Sequence, residues 1–258
     1  MNHPVSISPI PAFRDNYIWA LHNTRYAVVV DPGDAEPVFA FLRQHGLDLA
    51  AILVTHHHHD HTSGIVDLSR QDTIPVYGPA SESITGVHCP VTDNQSIHIP
   101  ELDLQFEVLA VPGHTSGHVA YHTPGHLFCG DVLFGCGCGR IFEGTPQQMY
   151  ASLQRLAHLP PKTLFYSAHE YTLGNIAFAL TLEPDNPDLV KRARNDRDKI
   201  SRHLPTLPGT IAAELATNPF LRCNQPVIVR RASQASGRTE LTDAEVFAIL
   251  RTMKNEFR

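Results

Sequence analysis

The segment AILVTHHHHDHTSG, residues 51–64, places four consecutive histidines, an aspartate and a fifth histidine directly behind an apolar run. Imidazole and carboxylate together form a ligand set for zinc and other first-row divalent ions. A dense cluster of them loses solvation and side-chain freedom, and a cation among the side chains is what offsets that loss. Residues two apart in an extended segment share a face. The spacing therefore predicts that His56 and His58 turn toward one ion while His57 and His59 point elsewhere. Asp60 and His61 follow after a turn.

Three more candidate ligands stand at or just beyond the ends of apolar runs: His114 after EVLAVPG, Asp131 after LFCG and His169 after TLFYSA. In layered α/β folds, strand ends are where side chains from distant positions meet. Together these positions give five imidazoles and two carboxylates. A tetrahedral zinc with an open position uses three protein ligands, so the set suits two ions.

The elements that must hold these residues are legible in outline. Through about residue 170, β-branched apolar runs recur between turn signals, as in YAVVVDPG, AAILVTH, IPVYG, LQFEVLAVPGH, HLFCGD and TLFYSAHE. Helical patterns such as DAEPVFAFLRQHG and TPQQMYASLQRLAHL lie between some of them, which makes the class mixed α/β. The latter opens with Thr145, Pro146 and Gln148 arranged as a capping box with proline at the first helical position. Beyond His169 helical patterns dominate, and a boundary near residue 172 divides a domain of residues 1–172 from one of residues 173–258. Asn186 and Pro187 begin a charged segment that predicts a solvated helix. In the last segment Thr242 and Glu245 are spaced as a capping box. Val246, Leu250, Met253 and Phe257 then form one buried stripe, and Arg251, Lys254 and Arg258 recur on another face.

Composition removes several function classes. The 258 residues are 42% hydrophobic, enough for a substantial core, and argue against disorder. A formal charge of −6 without a long basic run excludes nucleic acid as the main partner, so an anionic ligand must find a local basic patch. Five cysteines, an odd number in a chain too large to need staples, point to free thiols and a cytoplasmic location. No apolar run approaches the roughly 18 residues of a membrane span, and the N-terminus lacks the pattern of a secretory signal. In CGCGR no second cysteine pair complements the first, which reads as a glycine-rich loop with free thiols. Asp31, in VDPGD, reads as a turn residue or as support for a neighbouring ligand, and His118 and His122 as core or supporting residues.

THHHHDH fits the T-H-x-H-x-D-H signature of the metallo-β-lactamase superfamily, and PGHTSGH, FCGD and SAHEYT fit its later motifs in order. Across its whole length, including RDNYIW, VDPGDA, CGCGRIFEGT, NPFLR and the R-x-x-K of Arg251 and Lys254, the chain most resembles the glyoxalase II (hydroxyacylglutathione hydrolase) family. The resemblance implies an αββα four-layer sandwich followed by a smaller C-terminal helical domain that helps bind glutathione. It implies one metal on His56, His58 and His114, a second on Asp60, His61 and His169, and Asp131 bridging both. Zinc is the expected metal, with iron or manganese also compatible with the ligand set.

The activity implied is hydrolysis of S-D-lactoylglutathione and related 2-hydroxyacylglutathiones to a 2-hydroxy acid and glutathione, the second step of methylglyoxal detoxification. A hydroxide bridging the two metals would be the nucleophile, and Asp60 and Asp131 would be catalytic. The expected partner is the glutathione thioester alone, with the chain a monomer. Glutathione contacts fall on Arg140, Phe142, Tyr171, Arg251 and Lys254. Some relatives carry Lys and Tyr where this chain has Arg140 and Phe142; Arg keeps the charge in another geometry and Phe drops a hydroxyl. The competing expectation is a glutathione persulfide dioxygenase with a single iron, against which the full second-metal set argues.

Overall fold

The computed structural model describes residues 5–70 and 74–257, so Arg258 lies outside it. Two compact units emerge. The first runs through Ala110 and resumes at Thr115–Gly130; the second comprises Val111–His114 and the chain from Asp131 onward.

The first unit contains strands β1 (Ser6–Ala12), β2 (Asn16–His22), β3 (Tyr26–Val30), β4 (Asp48–Leu53), β5 (Val76–Pro79) and β6 (Cys89–Val91), in that order across one sheet. The ladders are antiparallel up to β3 and parallel from β3 to β6. Helices α1 (Ala35–His45), α2 (His59–Thr62) and α3 (Ile65–Ser69) belong to the crossovers. On the helix side, Val38 and Leu42 of α1 and Ile65 and Leu68 of α3 join Ala27, Val29 and Ile52 in one core. Val28, Val30, Ala51 and Leu53, the alternate residues, are buried as well. Burial on both faces explains why β3 and β4 read as unbroken apolar runs rather than alternating ones. Truncating such a side chain, as in Ile52→Ala, costs about 2–5 kcal/mol. Asp34 caps α1 by accepting from Glu36 N, and Gly46 ends it in the left-handed region that glycine adopts freely.

Strands β7 (Ser96–Ile99), β8 (Leu104–Ala110), β9 (Val119–Thr123) and β10 (His126–Gly130) form an antiparallel meander in the same unit. Tyr121 donates to Val54 O at 2.8 Å and Val119 N to Thr55 O at 2.9 Å, fastening the meander to the segment just past β4.

The second unit begins with a tight hairpin of β11 (Leu133–Phe134) and β12 (Gly137–Cys138). It continues through α4 (Pro146–Ala157), β13 (Leu164–Ser167), α5 (Thr172–Leu182), α6 (Pro187–Ser201), β14 (Gly209–Thr210), α7 (Ile211–Thr217), α8 (Pro226–Ser236) and α9 (Asp243–Glu256). The capping boxes at Thr145/Gln148 and Thr242/Glu245 both form, and Asn186 caps α6 ahead of Pro187.

Two expectations need correction here. Helix α6 is solvated on one face only. Leu189, Ala193 and Asp196 are buried, and Arg192 turns inward to the fully buried Glu214 at 2.6 Å. The other oxygen of Glu214 accepts from Cys136 N and Asn218 Nδ2, so the buried charge is paired and hydrogen-bonded. In α9 the stripe is buried at Val246 and Leu250, but Met253 is half-buried and Phe257 is 37% exposed. The helix leaves the core at its C-terminal end, where Phe257 lines a cavity instead.

Candidate metal centre

In the first unit, β4 stops at Leu53 and the chain bends at His56 before α2 begins at His59. His56 Nε2 and His58 Nδ1 stand 3.1 Å apart, so the two do turn toward each other. The four-residue α2 then brings Asp60 and His61 round, with Asp60 Oδ2 3.5 Å from His61 Nε2. His59 is exposed, and His57 turns its Nδ1 to Glu82 while its ring packs edge-on against His58.

Supporting groups set the outward nitrogens. Asp31, in the left-handed region at φ 54°, accepts from Thr55 N and Oγ1, each at 2.7 Å, and lies 3.1 Å from His61 Nδ1. A carboxylate on Nδ1 fixes the tautomer that leaves Nε2 as a donor to metal. Asn16 Nδ2 donates to Asp60 Oδ2 at 3.1 Å, a positioning contact with no local sequence signal beyond the RDNYIW resemblance. His118 is fully buried and stacks on His56, with ring centres 4.6 Å apart and planes at 20°. Gly130, at φ 48°, precedes Asp131; a Cβ there would stand 2.3 Å from Thr55 Oγ1, so FCGD requires its glycine.

In the second unit, Phe142 N donates to His114 O and Gly144 N to Gly113 O, pinning the PGH segment to residues 140–144. His114 Nδ1 donates to Arg140 O at 2.8 Å, which again leaves Nε2 as the inward atom. Asp131 lies between two histidines: Oδ2 is 3.4 Å from His114 Nε2 and Oδ1 is 3.5 Å from His169 Nε2. His169 is held by Tyr171, whose ring stacks on it at 4.7 Å and 4°.

These separations test the fit to a metal. Two ligand atoms each about 2.1 Å from an ion and about 109° apart stand about 3.4 Å from one another. The donor pairs His114–Asp131, His169–Asp131 and Asp60–His61 lie at 3.4–3.5 Å and His56–His58 at 3.1 Å. The donors are of the type and spacing that divalent ions take.

His114 and Asp131 also line a cavity of ≈ 710 Å³ in the second unit, together with Phe134, Arg140, Phe142, Tyr171, Arg251 and Lys254. All five residues expected to contact substrate thus share one cavity wall. Phe142 is 62% exposed and packs edge-on to His114. Arg251 is buried, its Nη1 donating to Cys138 O at 2.8 Å, so it braces the β11–β12 hairpin as well as facing the cavity. Lys254 Nζ donates to Gly174 O at 3.3 Å. Burial holds the Lys254 ammonium below the usual lysine range, and the neighbouring charges of Arg251 and Arg140 lower it further. An anion in the cavity would relieve that repulsion. Burial raises the Cys136 and Cys138 thiols of CGCGR, which disfavours the reactive thiolate, and all five cysteines are free.

Residues 12–169 match the family model of the metallo-beta-lactamase superfamily, and residues 170–257 that of the hydroxyacylglutathione hydrolase C-terminus. Over 254 residues the chain is 55% identical to the hydroxyacylglutathione hydrolase of Nitrosomonas eutropha, covering 98% of this chain and 100% of that one. This chain belongs to the hydroxyacylglutathione hydrolase family. The family member from Methylobacillus flagellatus is 52% identical over 252 residues, with 97% and 99% of the two chains covered. Among solved structures, the BLEG-1 B3 metallo-β-lactamase is similar over 84% of this chain and 99% of that chain, with 26% identity and a TM-score of 0.63. The expected fold class holds: a mixed α/β metallo-β-lactamase fold followed by a helical C-terminal domain characteristic of hydroxyacylglutathione hydrolases. No described helix is long and apolar enough to cross a membrane.

Proposed function

We propose that this chain hydrolyses S-D-lactoylglutathione and related 2-hydroxyacylglutathiones to a 2-hydroxy acid and glutathione, as a cytoplasmic monomer. The observation that carries the reading is Asp131: its two oxygens face His114 and His169, beside a cavity walled by Arg140, Arg251 and Lys254. Membership of the hydroxyacylglutathione hydrolase family supports the same substrate class.

In this reading His56, His58 and His114 hold one divalent ion, Asp60, His61 and His169 hold a second, and Asp131 serves both, with zinc as the metal. The ligands lie in a domain of residues 1–172, and residues 173–258 contribute to glutathione binding. Two such ions supply a hydroxide at neutral pH and stabilise negative charge on a carbonyl oxygen.

The protein's own groups do the rest. Glutathione is an anionic tripeptide, and in a chain of net charge −6 the three cations of the cavity offer the local attraction it needs. Asp31 and Arg140 O hold the tautomers of His61 and His114, and Asn16 orients Asp60. Asp60 also orients the attacking water. Hydroxide adds to the thioester carbon, the C–S bond breaks, and the sulfur leaves as thiolate beside the free 2-hydroxy acid. Because thiol pKa values lie near about 8.5, that departure requires no dedicated acid.

The deciding experiment is a panel of acyl thioesters read by free-thiol release, with metal measured on the same sample. Turnover of 2-hydroxyacylglutathiones with two metals per chain is expected. One iron per chain with oxygen uptake on glutathione persulfide would replace the hydrolase by a dioxygenase, and bound metal without turnover would leave a non-enzymatic role.

A further inference from the structure

Glu82 has no part in the site as described so far. It follows β5 in the segment PASES, and its side chain is only 3% exposed. Carboxylates are seldom buried to that degree unless partnered. Both oxygens are engaged. Oε1 accepts from Thr115 Oγ1 at 2.5 Å and Gly117 N at 3.0 Å, and Oε2 faces His57 Nδ1 at 3.0 Å.

The partners belong to two loops, each carrying proposed ligands. His57 stands between His56 and His58, and Thr115 follows His114 in the chain. Gly117 permits the approach: a Cβ there would stand 2.5 Å from Glu82 Cγ and 2.4 Å from Ser81 Oγ. One residue further on, His118 stacks on His56, so the loops also meet directly. A carboxylate that served only the core would have core partners; all three partners of Glu82 are loop groups beside ligands.

We infer that Glu82 is a positioning residue for metal uptake, fixing the main chain that carries His56, His58 and His114. The inference rests on the metal-site reading above. Glu82 contacts no ligand itself; it acts through His57, Thr115 and Gly117. Removing it frees two loops that must be ordered before a metal can bind, so affinity falls while the ligand set stays intact.

The test titrates wild type, Glu82→Gln, Glu82→Ala and His57→Gln with cobalt(II) against a competing chelator. The ligand-field spectrum and the urea unfolding of metal-free protein are recorded for each. Glu82→Ala is expected to weaken cobalt affinity by roughly 10–100-fold, with an altered spectrum. Glu82→Gln keeps the shape but presents an amide donor to a donor, and falls between. His57→Gln, which removes one of the three contacts, shows a smaller loss of the same sign. A folded Glu82→Ala chain with wild-type cobalt affinity and spectrum overturns the inference. Should Glu82→Ala not fold, unchanged affinity in both folded variants, Glu82→Gln and His57→Gln, overturns it equally. A wild-type chain that takes up no cobalt overturns the metal-site reading itself, whereas two ions in wild type beside unaffected variants removes only the role of Glu82.

Discussion

His114 donates from Nδ1 to the backbone carbonyl of Arg140 across 2.8 Å. One hydrogen bond thereby links a proposed metal ligand to the segment that supplies a cation to the cavity. The proposed ligand geometry and the proposed substrate contacts thus share a support in the second unit.

Asp131→Ala removes the carboxylate that faces both His114 and His169. Both metals should be depleted, and kcat/KM for a 2-hydroxyacylglutathione should fall by at least roughly 10²-fold, the scale for losing one electrostatic group at a reacting centre. Metal analysis alongside turnover checks this. Two metals and full activity in the variant would refute a shared ligand.

Arg251→Ala and Lys254→Ala should each raise KM more than they lower kcat, since they remove attraction felt by substrate and transition state alike. Stability tells them apart. Arg251 is buried and bonds to Cys138 O, so its loss leaves a buried carbonyl without that donor, at about 1–3 kcal/mol. Lys254, half-buried, with its ammonium donating to Gly174 O and lying over the Phe178 and Phe257 rings, should cost less, since no buried backbone group loses its donor. Urea unfolding of the two variants side by side provides the comparison, and equal losses would contradict the assignment.

The lowered Lys254 sets an alkaline limit on anion binding. An ammonium is charged below its pKa, so its attraction is present below the folded value and is lost as the pH rises through that value, which lies below the ordinary 10.5. Arginine at that position does not deprotonate in this range. Inhibition by an S-alkylglutathione, measured from about pH 7 to about pH 10, should therefore weaken earlier in wild type than in Lys254→Arg. Superimposable profiles would exclude Lys254 as the anion contact. For stability the sign is opposite: with the folded value below the unfolded one, the charged lysine weakens the fold at low pH, and that cost fades as the pH rises toward 10.5.

Helix α9, which carries Arg251 and Lys254, depends on its capping box. Thr242→Ala should cost about 1 kcal/mol. Glu245 is held down to about 2 by the Thr242 backbone N–H, then by Arg238 and the Thr242 hydroxyl. Its contribution is present above the ordinary 4.5 and disappears as the pH falls toward 2. The stability gap between wild type and Glu245→Gln, followed by denaturant titration, should be open at neutral pH and close over that acid window. A gap independent of pH would disprove the charged cap.

What could be read without coordinates was whatever is decided over a few residues. Thr145 with Gln148, and Thr242 with Glu245, are capping boxes because both partners lie within one helical turn. The apolar runs of β3 and β4 announce strands buried on both faces, and the ends of β4, β10 and β13 mark where His56, Asp131 and His169 emerge. The proposed ligand set follows from chemistry that the residue types already carry, and the substrate class from motifs shared along the chain.

Partnerships between remote segments belonged to the tertiary structure alone. His57 reads as a bystander in HHHHDH until Glu82, 25 residues on, arrives beside it. Arg251 recurs by periodicity on a face apart from the apolar stripe of α9, yet packing against the β11–β12 hairpin turns it inward to Cys138 O. Arg192 reads as one charge among many on α6, and only the approach of α7 with Glu214 makes it half of a buried pair. Burial depends on what packs against a residue, and no local pattern encodes that.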